Sequence, residues 1–241
     1  MRTAAILPVK RFVRAKQRLG SSVAEIVRME LAQAMVGDVL EALLDTPAID
    51  LTIVVTREPQ VADSARELGA LVVTDVAEDG QSAAVSLGAR RALAEGMERA
   101  LCVPGDCPAL DPSELGELLT ERENGGDPSV TIIPDRHGTG TNGLLLTPAD
   151  AIGPSFGANS FERHAARARD AGVKCFVRRP GSLLLDIDTG SDLAALRERL
   201  AELDATTGTD GGGVTGRASR TRVVLERAER AKETTLSPGR A

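Results

Sequence analysis

The segment Ala100-Leu-Cys-Val-Pro-Gly-Asp106 is an apolar run that ends in a tight turn carrying a carboxylate. The segment Leu183-Leu-Leu-Asp186-Ile-Asp188 repeats this pattern later in the chain. Both predict short buried strands that deliver acidic side chains to one edge of a sheet. Alternation along a strand would place Asp186 and Asp188 on the same face. Neighbouring carboxylates repel one another unless a cation lies between them. We therefore predict that Asp106, Asp186 and Asp188 bind Mg²⁺, which combines carboxylates with waters and substrate phosphates.

Predicted strands alternate with predicted helices along most of the chain. The strands are expected at 4–7, 51–55, 70–74, 100–103, 130–133, 143–146, 174–178 and 183–187, and the helices at 22–44, 59–68, 81–95, 112–122, 161–171 and 192–202. This alternation is typical of an α/β domain with a mostly parallel mixed sheet and helices on both faces. Ligands bind such sheets outside the carboxyl ends of the strands, where the three aspartates are expected.

Composition and charge limit the class of protein. The chain has 241 residues, of which 42% are hydrophobic, so it can bury a full domain core. A net charge of −6 argues against nucleic acid or an anionic membrane as the main partner. No apolar run is long enough to cross a bilayer and no signal peptide is recognisable. Three cysteines, an odd number, favour reduced and buried thiols. A cytoplasmic protein is expected.

The composition changes after residue 203. Residues 204–218 are rich in Gly and Thr, which is typical of a flexible linker. Residues 223–233 could form a short helix, which would be marginal alone. We predict a catalytic domain over 1–203 and a flexible tail with a short helix over 204–241.

A basic segment follows the first predicted strand. Five cations lie within nine residues, namely Lys10, Arg11, Arg14, Lys16 and Arg18. A basic loop at the carboxyl end of a strand suits a triphosphate. Charge runs are also common on solvated surfaces, so the segment alone leaves both interpretations open.

Two segments of small residues, 138–143 and 156–160, could bring backbone amides close to an anion. A plain hairpin would explain the first equally well. In the second, Ser160 could cap the helix that follows. The two histidines, His137 and His164, lie on different predicted elements, which disfavours a transition-metal site.

Five motifs occur in a characteristic order. They are Leu7-Pro-Val-Lys10, Pro104-Gly-Asp-Cys-Pro108, Pro134-Asp-Arg-His-Gly-Thr-Gly-Thr-Asn-Gly143, Phe156-Gly-Ala-Asn-Ser-Phe-Glu-Arg-His164 and Asp186-Ile-Asp-Thr189. Together they resemble the guanylyltransferases of coenzyme F420 biosynthesis. The resemblance implies a single-domain Rossmann-like nucleotidyltransferase fold of the glycosyltransferase-A type. It also implies an enzyme that joins GTP to a small phosphorylated three-carbon acid and releases pyrophosphate.

The resemblance also implies roles for individual residues. The phosphorylated acid should contact Thr141, Gly157 and Ser160. GTP should contact Lys10, Lys16, Arg18, Gln81 and Ser82, where Ser82 stands at a place that related proteins often fill with Asn. Lys10, Lys16 and Asp106 are expected to act in catalysis, with Mg²⁺ as the cofactor.

Several alternatives remain for the function. Phosphoenolpyruvate is the leading acceptor, and 2-phospho-L-lactate or 3-phospho-D-glycerate is the alternative. A generic sugar-phosphate or molybdopterin nucleotidyltransferase would usually begin its first loop with Gly-Gly, which 7–10 lacks. A nucleotide-binding protein without catalysis is the alternative from another class. The assembly state stays open, with a homodimer as one alternative.

Overall fold

Seven strands form one sheet in the computed structural model, which describes residues 1–12, 25–120, 127–207 and 217–236. The strands are β1 (Thr3–Val9), β2 (Leu51–Thr56), β3 (Leu71–Thr74), β4 (Arg99–Cys102), β5 (Ser129–Pro134), β6 (Thr141–Thr147) and β7 (Lys174–Val177). Their order is β3-β2-β1-β4-β6-β5-β7. β6 runs antiparallel to β4 and β5, and the other described pairs are parallel. The predicted mostly parallel mixed sheet is confirmed.

Helices cover both faces of this sheet. They are α1 (Glu25–Leu44), α2 (Pro59–Glu67), α3 (Gln81–Ala94), α4 (Pro112–Thr120), α5 (Ser160–Asp170), α6 (Gly190–Thr207) and α7 (Ser219–Leu236). Successive residues of a strand point to opposite faces. In β1, Ala4 and Ile6 therefore join the core cluster that contains α3, whereas Ala5 and Leu7 join the cluster that contains α1. No helix among the described residues is long and apolar enough to cross a membrane.

α3 lies very close to β1 because of Gly88. A Cβ atom at Gly88 would lie 2.5 Å from Cγ2 of Ile6 and 3.1 Å from Cγ2 of Val55. A side chain there would push α3 away from the sheet. The glycine thus sets the height of α3, whose first turn faces the carboxyl edge of β1.

The predicted strand over 183–187 is wrong. A 3-10 turn spans Gly181–Leu183, and the segment that follows is irregular. Its apolar pattern reflects burial, since Leu183 and Ile187 are fully buried. Its backbone groups form hydrogen bonds outside the ladders of the sheet. The side-chain Nδ2 of Asn142 donates to Leu183 O at 2.8 Å, and Ile187 N donates to Asp106 O at 3.0 Å.

The C-terminal part of the chain also differs from expectation. α6 continues through Thr207, so the predicted boundary at 203 falls inside a helix. α7 includes the predicted short helix over 223–233 and packs on α1. The linker between α6 and α7 lies outside the described residues. Of the cysteines, Cys102 and Cys107 are buried as predicted, whereas Cys175 on β7 is exposed.

Candidate active site

A cavity of about 310 Å³ opens at the carboxyl edge of β1, β2, β3 and β4. The residues around it come from the segments that follow these strands and from the facing turns of α1 and α3. They include Lys10, Arg11, Phe12, Met35, Val36, Arg57, Asp75, Glu78, Gln81, Gly105, Asp106 and Asp188. The cavity therefore brings together four residues that were predicted from the sequence as site residues, namely Lys10, Gln81, Asp106 and Asp188.

The three predicted carboxylates lie near one another at one end of this cavity. Asp106 and Asp188 line it. Burial raises the pKa of Asp186, the charges of Asp106 and Asp188 raise it further, and a hydrogen bond from Asn142 opposes the change. The charges of Asp106 and Asp188 thus lie near enough to Asp186 to affect its carboxyl group, and the binding of Mg²⁺ by the three stays a prediction. They come together although 183–187 is not a strand, because Ile187 is bonded to the Asp106 turn.

Asn142 orients the carboxylate of Asp186, and no role was predicted for it from the sequence. Its Nδ2 atom donates to Asp186 Oδ1 at 3.2 Å as well as to Leu183 O. The ladder between β5 and β6 pairs Ile133 with Gly143 and Pro134 with Thr141, so Asn142 is the extra residue of a β-bulge. Bulges redirect side chains beside functional sites. The motif over 134–143 contains this Asn, but only the register of the β5–β6 pair identifies its role.

The predicted triphosphate loop is only partly described. Lys10 and Arg11 line the cavity, and Arg11 Nε lies 3.4 Å from Glu78 Oε1. Arg57 also pairs with Glu78, at 3.4 Å. The predicted Lys16 and Arg18 lie outside the described residues. The end of the cavity next to β3 thus combines carboxylate acceptors with guanidinium donors.

Gln81 and Ser82, predicted together for the nucleotide, are separated by the structure. Gln81 faces the cavity as the first residue of α3. Ser82 Oγ instead accepts a hydrogen bond of 2.8 Å from Phe156 N. Ser82 therefore joins α3 to the segment 154–158, which carries the predicted acid site.

A buried network surrounds Thr141 at the predicted acid site. Thr141 Oγ1 lies 3.0 Å from Nδ1 of His164, and Ser155 N donates to Nε2 of His164 at 2.8 Å. Because Nε2 accepts, the ring proton of the neutral form is on Nδ1 and is donated to Thr141. Burial lowers the pKa of His164 to about 4, and the charges of Arg167 and Arg163 lower it further. The hydroxyl hydrogen of Thr141 remains available for a ligand.

Gly157 and Ser160 lie on the turn that leads into α5, beside this network. Gly157 adopts φ +111°, a backbone conformation that favours glycine. Ser160 is buried, but the expectation that it caps α5 is wrong: Asn159 occupies the cap position and Ser160 is the first helical residue. The amides of Ser160 and Phe161 donate to Gly157 O and Thr139 O. These two amides therefore fix the turn in place.

Arg163 fixes the same turn through its guanidinium group. It donates to Ser155 Oγ at 3.0 Å, to Ser155 O at 2.9 Å and to Phe156 O at 3.0 Å, and it also contacts Ala158 O. Residues 135–140 connect β5 and β6 in a hairpin, as the simpler interpretation held, and 141–143 begin β6. The acid site is therefore a turn held by side chains next to a hairpin.

Neither histidine is arranged as a metal ligand. Both ring nitrogens of His164 are hydrogen-bonded, and His137 Nε2 accepts from Arg136 Nε at 3.2 Å. Within the described ranges, no group of three or more His, Cys, Asp or Glu residues could hold a metal ion by itself. A metal ion in this site would need further ligands, such as phosphate oxygens and water.

Comparison with known proteins identifies the family and the relatives of this chain. Residues 3–198 match the protein family described as Guanylyl transferase CofC like. The phosphoenolpyruvate guanylyltransferase of Conexibacter woesei is 47% identical over 201 residues, which cover 83% of this chain and 90% of that protein. The phosphoenolpyruvate guanylyltransferase of Sphaerobacter thermophilus is 36% identical over 196 residues, covering 81% of this chain and 93% of that protein.

Solved structures share the fold at low sequence identity. A nucleotidyl transferase from Methanothermobacter thermautotroptrophicus has a TM-score of 0.59 at 22% identity, covering 83% of this chain and 98% of that one. A 4-diphosphocytidyl-2C-methyl-D-erythritol synthase has a TM-score of 0.57 at 17% identity, covering 82% and 97%. These similarities confirm the predicted nucleotidyltransferase fold.

Proposed function

This chain belongs to the CofC-like guanylyl transferase family, and we propose that it joins GTP to phosphoenolpyruvate, releasing pyrophosphate and enolpyruvyl-diphospho-guanosine. One observation carries the proposal. A single cavity is lined by Lys10, Gln81, Asp106 and Asp188, and Asn142 links its carboxylate end to the strand that carries Thr141. The names of the relatives in Conexibacter woesei and Sphaerobacter thermophilus support phosphoenolpyruvate as the acceptor. We also propose that the protein acts in the cytoplasm.

The reaction is limited by electrostatics rather than by proton transfer. A phosphate oxygen of phosphoenolpyruvate attacks the α-phosphorus of GTP, and the bond to the departing pyrophosphate breaks. The attacking oxygen is already anionic, so no side chain needs to act as a general base. The protein must align two polyanions and reduce their repulsion. Lys10 serves this purpose from the β1 side of the cavity, and we propose that Lys16 and Arg18 assist it.

The carboxylates fit Mg²⁺. Mg²⁺ is commonly held by one or two carboxylates, several waters and substrate phosphates, so a closed cage of protein ligands is not needed. Asp106 and Asp188 would hold the ion in the cavity, with Asp186 beside them. When bound, the ion supplies positive charge that aligns the phosphates and stabilises the leaving pyrophosphate. Asn142 orients Asp186 through the hydrogen bond from its Nδ2 atom.

We assign the guanine base to the end of the cavity next to β3. Gln81, Asp75 and Glu78 line this end, and the carboxylates are acceptors for the N–H groups that distinguish guanine from adenine. Arg57 and Arg11 neutralise Glu78, which leaves Asp75 as the principal acceptor. The phosphates then extend along the carboxyl ends of the strands toward Asp106.

The phosphorylated acid is assigned to Thr141, Gly157 and Ser160. Thr141 accepts a hydrogen bond from His164, so its own hydroxyl hydrogen can be donated to an anionic oxygen. A hydrogen bond to a charged group contributes about 1.5–3 kcal/mol. The turn that holds Gly157 is fixed before the acid binds, which reduces the entropy lost on binding.

The direct test is pyrophosphate release by the full chain with GTP, Mg²⁺ and one acid at a time. We expect release with phosphoenolpyruvate, and a much lower rate with 2-phospho-L-lactate or 3-phospho-D-glycerate. Replacing GTP with ATP should remove the activity. Rapid release with another acid and none with phosphoenolpyruvate would reassign the acceptor. Binding of GTP with no release from any acid would indicate a nucleotide-binding protein without catalysis.

A further inference from the structure

The C-terminal helix α7 is anchored to α1 by a buried carboxylate. Asp38, in the middle of α1, accepts hydrogen bonds from Arg220 N at 3.0 Å, Thr221 N at 2.9 Å and Thr221 Oγ1 at 2.6 Å. Asp38 and Thr221 are both buried. A negative charge that binds the first amides of a helix also interacts favourably with the helix dipole. α7 therefore begins at a defined point on α1.

Gly37 makes this contact possible. A Cβ atom at Gly37 would lie 2.7 Å from Cδ of Arg220. A side chain at this position would separate the two helices or force Arg220 to move. The sequence Gly37-Asp38 thus provides both the space for α7 and the group that caps it.

Arg222 and Arg217 connect α7 to two other parts of the protein. Arg222 binds both carboxylate oxygens of Asp204 on α6, at 2.8 and 3.0 Å, and donates to Leu200 O at 3.2 Å. Arg217 pairs with Asp111, the residue before α4. Asp111 follows the Asp106 turn by five residues in the sequence. α7 is thereby connected to α6 and to the segment after Asp106.

An apolar cluster continues from α7 to the carboxylate segment. Leu225 and Ala218 belong to the same buried cluster as Ile187, together with residues of α1 and α6. The cluster also contains Met35, which lines the cavity. Ile187 lies between Asp186 and Asp188, and its amide donates to Asp106 O at 3.0 Å. The buried position of Ile187 therefore determines where the carboxylates on either side of it point.

The segment that carries these carboxylates depends on packing. Residues 185–188 belong to none of the described strands. Without a ladder of backbone hydrogen bonds, the segment is held by the burial of Ile187, by the bonds to Asp106 and Asn142, and by the bond of 3.0 Å from Asp188 N to Asp192 Oδ2. Loss of packing at one side of an apolar cluster loosens the groups at the other side.

We propose that α7 is a positioning element of the active site, in which Leu225 and Asp38 hold Ile187 and thereby fix Asp186 and Asp188. α7 lies beyond residue 198, where the family match ends. The positioning is a property of the fold alone, whereas its effect on turnover rests on the proposed role of the carboxylates in binding the metal ion.

Hydrogen exchange of the full-length chain tests the positioning. In Leu225→Ala, we expect the amide of Ile187 to exchange at least about tenfold faster, because the lost packing lowers the free energy of local opening. The amides of Val130 and Ile132 on β5 should keep their rates. Leu43→Ala is the matched control, since Leu43 is also a buried leucine but lies at the far end of α1 in another cluster. Val224→Ala is the milder variant if Leu225→Ala does not fold.

A second measurement separates positioning from general stability. In Asp38→Asn, α7 loses the charge that anchors it, so the Mg²⁺ concentration for half-maximal turnover should rise severalfold while the KM for phosphoenolpyruvate stays unchanged. Leu43→Ala should change neither value at a temperature where both variants are folded. Equal protection of Ile187 in the wild type, Leu225→Ala and Asp38→Asn would overturn the proposal. If the exchange result holds but no acid supports turnover, the proposed function fails and the positioning stands.

Discussion

The two halves of the active site are built in opposite ways. Around Thr141, hydrogen bonds from His164, Ser155 and Arg163 fix the acid site. Around Asp188, the carboxylates repel one another, and the segment that carries them is held by the packing of Ile187 and by a few hydrogen bonds outside the sheet. The first half is complete before its ligand arrives, whereas the second would be stabilised by the proposed Mg²⁺. The difference suggests that the acid half determines specificity and the carboxylate half supplies the catalytic electrostatics.

The largest expected effect is at the carboxylate half. Asp188→Asn should lower the rate of pyrophosphate release at least about a hundredfold, because it removes charge that would hold Mg²⁺. The melting temperature should stay the same or rise, since repulsion among the carboxylates falls. Asp63→Asn, on the exposed surface of α2, is the control. EDTA should abolish the activity of the wild type. A folded Asp188→Asn protein with full activity would contradict this assignment.

The acid half should be sensitive to pH through His164. The pKa of His164 is about 4 in the folded protein and 6.5 ordinarily. Between about pH 4 and pH 6.5, the unfolded chain therefore binds a proton at this imidazole and the folded chain does not. Folding stability is therefore complete above about pH 6.5 and falls by roughly 3 kcal/mol toward about pH 4. The free energy of unfolding, measured with urea at several pH values, should depend less steeply on pH in His164→Gln than in the wild type. His137→Gln, at the exposed histidine, should keep the pH dependence of the wild type. The same pH dependence in both variants would contradict the assignment to His164.

Thr141→Val tests whether the acid half acts on one substrate only. The variant removes the hydroxyl that would be donated to the acid, so the KM for phosphoenolpyruvate should rise about ten- to a hundredfold. The KM for GTP should change little. Thr139→Val replaces the exposed threonine of the same hairpin and serves as the control. An equal rise for both substrates would mean that the two halves are not separate.

The smallest expected effect concerns the contact between the halves. Ser82→Ala removes the acceptor for Phe156 N and leaves the cavity unchanged. We expect the KM for phosphoenolpyruvate to rise about two- to tenfold, as for one neutral hydrogen bond, with no change for GTP. Ser86→Ala, one turn later on α3, is the matched control. A selective loss of GTP binding would return Ser82 to the nucleotide side.

The alternation of strands and helices was enough to predict the sheet, because each apolar run was bounded by residues that end strands or helices. The apolar run before Asp106 is likewise a strand, so Asp106 lies in the turn after β4 and lines the cavity. The segment 183–187 was misassigned because burial of Leu183 and Ile187 produces the pattern of a strand without sheet pairing. The register of a hairpin, which single-sequence patterns do not contain, was needed to recognise Asn142.

The C-terminal helix shows a second limit of prediction from sequence. The sequence before it is rich in glycine and threonine, and residues 208–216 of that stretch lie outside the described residues. The docking depends on Asp38 and Thr221, which are 183 residues apart and individually unremarkable. Such a contact between distant residues has no local signature, so α7 was expected only as a short helix in a flexible tail.

The bulge at Asn142 restricts where the β5–β6 hairpin can change in length. Thr141 and Asn142 are neighbours in the chain, yet Thr141 contacts His164 at the proposed acid site and Asn142 orients Asp186. A residue inserted between 135 and 140 would enlarge the loop, and most loops tolerate such changes. A residue inserted or deleted after Thr141 would exchange the directions of both side chains at once. Changes in the choice of acceptor should therefore arise through substitutions around 155–160 rather than through insertions and deletions in β6.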